Sequence, residues 1–109
     1  MGADSTIIFY GVRYPLDEDE IESAESEDHP YMLSAQRIGL QTYWGRESEL
    51  EPCFLMIGQQ LAWLGAEHQS QAAIDHAELI KVMEDVQAKL SRMGAREATK
   101  LHVQYEYDE

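Results

Sequence analysis

Cys53–Gly65 reads CFLMIGQQLAWLG, two apolar runs on either side of Gly58-Gln59. How this stretch folds decides how many strands the protein has and what must cover them. A Gly-X pair between apolar runs suits a two-residue type II′ turn, so the expectation is a β-hairpin. In that register Met56 opposes Leu61 and Phe54 opposes Trp63 on one face. Leu55 with Ala62 and Cys53 with Leu64 occupy the other. Both faces are then apolar, and such a hairpin is either covered on both sides or offers one face to a partner.

Upstream, TIIFYGVRY (Thr6 to Tyr14) is rich in β-branched and aromatic residues and reads as a first strand ended by Pro15. Residues 15–29 form an acidic connecting segment, in which eight of the twelve residues from Asp17 to Asp28 are acidic. It has too little apolar surface to fold alone, and one frayed helical turn is expected around Ile21, with acids favourable at its N-terminus. Pro30 suits the first position of a short helix over 30–38, with Asp28 or His29 as N-cap and Gly39 as terminator. Leu40 to Arg46 reads as a second strand.

Downstream lies the strongest helical signal. Leu79, Val82, Met83, Val86, Leu90 and Met93 form one apolar stripe, which predicts a helix over 76–93. Asp75 is its N-cap with Glu78 three residues later, and Ile74 is placed to staple onto Leu79. Lys89 and Arg92 complement the C-terminal end of the dipole, and Gly94 closes the helix. Leu101 to Tyr107 alternates apolar and polar residues, as a half-buried terminal strand does; its helical crossover leaves a parallel pairing open. The expected fold is a single α+β domain over 1–109. It has a mainly antiparallel sheet of about five strands, one long helix and one short helix.

The chain has 109 residues, with 21 acidic against 8 basic, a formal charge of −13. Residues 1–36 carry nine acids and one base, net −8; residues 37–109 carry twelve acids and seven bases, net −5. The charge is therefore concentrated in one segment. Its sign argues against direct nucleic-acid binding and against an anionic membrane. MGADST at the N-terminus fits an N-myristoylation pattern, but no polybasic patch supplies a second membrane signal. No basic-then-apolar leader is visible, and Cys53 is the single cysteine, so the expected compartment is the cytoplasm.

Motifs for chemistry are sparse. An EF-hand loop started at Asp17 fails, because Ile21 falls at position 5 and Glu22 where the turn needs glycine. His29, His68, His76 and His102 form no metal-ligand spacing, so neither a metal nor a cofactor is expected. Cys53 opens an apolar strand with no base beside it, and no phosphate-cradling glycine loop occurs. No catalytic residue is assigned, and an enzyme is not the favoured reading.

Two functional expectations remain. The first is a small acidic binding or regulatory module that engages a basic protein partner through Asp17, Glu18, Asp19, Glu20, Glu22, Glu25, Glu27 and Asp28. The second is a small-molecule-binding or enzymatic domain. Its pocket would lie between hairpin and helices, with Tyr43, Trp44, Arg46 and His68 as ligand-binding residues. The two-faced hairpin adds the expectation of a homodimer that buries one sheet face or pairs edge strands.

Overall fold

In a computed structural model describing residues 4–46 and 53–106, the protein is α+β. Its strands are β1 (Ser5–Pro15), β2 (Gln41–Arg46), β3 (Cys53–Gly65) and β4 (Lys100–Glu106). A 3-10 turn at Glu18–Glu20 leads into α1 (Ile21–Glu25), followed by α2 (Pro30–Arg37) and α3 (His76–Met93). The four strands form one sheet in the order β2-β3-β1-β4, and every neighbouring pair is antiparallel. Residues 1–3 of the acylation pattern and Tyr107 lie outside the described residues.

The expected hairpin does not form, and this corrects five strands to four. Gly58 is not a turn but the middle of β3, a continuous strand of 13 residues. Gly58 pairs with Gly11 of β1, and the two backbones come unusually close. A Cβ on Gly58 would lie 2.0 Å from the Tyr10 carbonyl oxygen; one on Gly11 would lie 2.0 Å from that of Ile57. The glycine signal was real, but it marks a close backbone approach rather than a chain reversal.

One face of this sheet carries Tyr10, Val12, Leu55 and Ile57, which form a core with Met32 and Ala35 of α2 and Val86 and Leu90 of α3. The other face carries Ile7, Phe9, Phe54 and Met56, a second buried cluster against Tyr43. Among the described residues, no helix contributes to that second cluster. The sheet covers it by folding over on its helix-free side. Tyr43 pairs with Met56, and Trp63 lies seven positions further along the same strand, roughly 23 Å in a straight one. Yet the Tyr43 and Trp63 rings meet edge to face with centroids 6.0 Å apart.

The edges tell the same story. β2 and β4 stand at opposite sides of the sheet, about 14 Å apart if it were flat. Tyr43 of β2 nevertheless hydrogen-bonds Glu106 of β4. The bend is placed by the Gly11–Gly58 crossing and by a bulge where Leu61 is inserted between the Ile8–Ala62 and Phe9–Gln60 pairs. Both faces of Cys53–Gly58 are thus buried, and Gln59–Gly65 is half-buried apart from buried Ala62, with the sheet acting as its own second layer.

The helices follow their sequence signals closely. His29 is the N-cap of α2, its Nδ1 accepting the Tyr31 N–H at 3.2 Å, and Gly39 ends the turn at φ 83°. Asp75 occupies the N-cap position of α3, although its side chain makes no capping bond there, and Gly94 closes the helix at φ 81°. The terminal strand runs antiparallel to β1. Its apolar residues are its exposed ones: Leu101, Val103 and Tyr105 are 57%, 65% and 45% accessible. They share the helix-side face of the sheet, opposite Tyr10, Ile8 and Thr6.

Candidate functional site: the acidic platform and the folded-over face

The acidic segment is ordered: the helical turn expected around Ile21 forms as α1, preceded by the 3-10 turn at Glu18–Glu20. Ala24 is fully buried and Ile21 half-buried in the helix-side core, so two apolar anchors suffice to seat a short helix. The third fastening is polar. His29, 4% accessible, approaches Glu20 Oε2 with Nε2 at 2.7 Å. Because Nδ1 accepts the Tyr31 N–H, the neutral ring carries its proton on Nε2, which donates to Glu20. Glu20 Oε1 in turn accepts the Asp17 N–H at 3.0 Å. These bonds, the one from His29 first, hold the Glu20 carboxyl below the usual carboxylate range.

Glu20 therefore directs its charge inward and bolts the platform to the start of α2. The other seven candidates, Asp17, Glu18, Asp19, Glu22, Glu25, Glu27 and Asp28, are exposed. Glu27 takes a left-handed φ of 59° where α1 ends. Among the described residues, none of the eight is in an ion pair with Lys or Arg. Asp17, Asp19 and Glu20 can each bring one oxygen within 4.8 Å of the others, but both Glu20 oxygens already accept hydrogen bonds.

The four residues of the alternative reading are divided by the sheet. Trp44 packs against the helix-side core, whereas Tyr43 lies on the folded-over face. Arg46 is placed by backbone register opposite Cys53. His68 stacks on Trp63 with ring centroids 4.4 Å apart, so Tyr43 and His68 flank the same indole. The indole Nε1 is buried without a hydrogen-bond partner among the described residues.

Residues distant in sequence complete this face. Arg13 lies over the Phe54 ring, its Cζ 4.3 Å from the centroid, a cation–π contact. Desolvation first of all raises the Glu106 carboxyl, against the Tyr43 hydrogen bond and the Arg13 charge, which lower it. Desolvation also raises the Tyr43 phenol and lowers the His102 imidazole. All three groups move toward their neutral forms, the signature of a partly dry interior. Sequence patterning could not assemble them, because β2 and β4 meet only through the fold of the sheet.

A groove of about 280 Å³ opens elsewhere, lined by Tyr14, Tyr31, Ser34, Met93, Arg96 and Glu97, among others. It lies where the end of β1 meets α2 and the C-terminal end of α3, not at Tyr43 or His68. The Tyr14 and Tyr31 rings are 5.0 Å apart. Burial, reinforced by a hydrogen bond to Glu97, pushes the Tyr14 phenol up to about 12.

Among known proteins, no family model matches the chain, and no curated protein or solved structure is significantly similar to it. No helix of the structure is long and apolar enough to cross a membrane. The assignment of function therefore rests on geometry.

Proposed function

We propose that the protein is a small binding or regulatory module whose acidic platform engages a basic protein partner. The observation that carries this reading is the presentation of seven exposed carboxylates on a segment anchored by Ala24, Ile21 and the Glu20–His29 bond. A fixed platform avoids much of the ordering cost of a floppy acidic tail, so more of the Coulombic gain reaches affinity. Clustered charge of one sign also steers a cationic partner and raises its association rate. The single buried thiol, Cys53, fits a cytoplasmic setting.

A lysine- and arginine-rich peptide tests the reading directly. Titration calorimetry across a salt series should show binding that weakens steeply with ionic strength. The quadruple change Glu18→Gln, Asp19→Asn, Glu22→Gln and Glu25→Gln should abolish it, while leaving the circular dichroism spectrum intact. Binding insensitive to salt, or undiminished in the variant, overturns the proposal.

The groove beside Tyr14 and Tyr31 favours a second reading, a small-molecule site. Ligand-observed resonance experiments with aromatic and cationic fragments test it, with Tyr31→Ala as the control. As to assembly, we propose a homodimer. The second sheet face is already covered from within, so an edge strand is the better candidate for the contact.

A further inference from the structure

From the residue pattern of β4 and its position in the sheet, we infer that two copies of the chain pair through their β4 strands, antiparallel about a two-fold axis at Val103. This rests on the homodimer reading and names its surface. Three observations converge on it.

First, β4 is an edge strand: its inner side pairs with β1, and no described strand pairs with its outer side. Edges are commonly blunted by central charges, proline or bulges. β4 has none of these over its five middle residues, Leu101 to Tyr105, and its pairing with β1 is regular throughout.

Second, the strand is self-complementary. Antiparallel pairing about Val103 sets Lys100 against Glu106 of the second copy, Leu101 against Tyr105, His102 against Gln104, and Val103 against itself. This is the one centre about which all seven residues of β4 find a partner. The apolar residues then meet apolar residues on one face, and opposite charges meet at both ends of the other.

Third, the arrangement covers three exposed apolar side chains, Leu101, Val103 and Tyr105, the first two of them the most exposed large apolar residues among those described. It also limits charge repulsion between two acidic chains. β4 pairs with Ser5–Gly11, whereas the acidic segment follows Pro15 at the opposite end of β1. The two copies are joined away from their strongest negative charge.

Light scattering coupled to size-exclusion chromatography provides the test, from about 10 µM to 1 mM at physiological salt, where surface charge is screened beyond about 8 Å. The expected wild-type mass is twice 12.5 kDa. Val103→Lys, which sets two ammonium groups against each other at the axis, should give a monomer with an unchanged circular dichroism spectrum. Lys100→Glu, at an exposed position, should weaken the dimer at least tenfold. Leu33→Lys, an equally apolar but distant exposed site on α2, should leave it intact. A wild-type monomer at 1 mM overturns the dimer and this interface together. A dimer that survives both β4 variants overturns only the interface.

Discussion

Gly11 and Gly58 stand opposite each other at the crossing of β1 and β3, each so close to the other strand's backbone that only a hydrogen fits at Cα. Neither clash could be relieved by turning a flexible side chain, because the obstructing atoms are carbonyl oxygens of Ile57 and Tyr10. Gly11→Ala and Gly58→Ala should each destabilise the fold by at least about 3 kcal/mol, in the range reserved for severe local conflict. Gly94→Ala is the comparison: φ is 81° but nothing lies within 4 Å of the new Cβ. It should cost only about 1 kcal/mol. Urea denaturation of the three variants reads the difference; a mild Gly11→Ala would return Gly58 to the role of a turn.

Removing the Tyr43 hydroxyl should be felt at the far edge of the sheet. The hydrogen bond from Tyr43 lowers the Glu106 pKa against a dominant desolvation that raises it. Tyr43→Phe should therefore move Glu106 further upward, measured by carbon-detected carboxylate titration. Discounted for the solvent access of Glu106, the lost bond should cost about 1 kcal/mol. An unmoved Glu106 would mean that the edges do not meet in solution.

The platform should loosen in acid. Glu20 has its folded pKa held below the ordinary carboxylate value of 4.5, so the stability it supplies is complete above that value. That contribution disappears as pH falls through the lower, folded pKa. Amide exchange at Tyr31 and Asp17 should accelerate below about pH 4.5 before β1 and β3 open. Glu20→Gln should remove most of that pH dependence. Exchange that is flat over this window in the wild type would contradict the Glu20–His29 bolt.

Alkaline titration should single out Tyr14. Its pKa is raised from 10.0 to about 12, so its contribution to stability is intact below pH 10 and fades as pH climbs through about 12. The ultraviolet difference between wild type and Tyr14→Phe should place the missing transition there. Glu97→Gln should bring it back toward 10, though not all the way, because burial is the larger cause.

Local patterns carried most of the fold. The stripe from Leu79 to Met93 and the Asp75 and Gly94 signals placed α3 to the residue, because helix ends depend on near neighbours. Pro30 placed the start of α2, and Gly39 its end to within one residue, at Arg37 rather than Ile38. Gly58 misled for a physical reason: the glycine permits both a turn and a close crossing, and only Gly11, 47 positions away, decides between them. In the acidic run only the turn at Ile21 was legible, because the composition conceals the anchoring by Ala24 and the remote partner His29. Tyr43 and His68 were legible as candidates, but Glu106 and Arg13 were not. Their proximity to Tyr43 and Phe54 comes from bending the sheet.

That bend has a consequence for how the molecule comes apart. Along β1, Ile7 and Phe9 belong to one core while Tyr10 and Val12 belong to the other; β3 divides its residues in the same way. Two interiors are threaded on the same two strands, so neither can melt while the other stays whole. A chain with this weave should lose both in one event, without a half-folded intermediate.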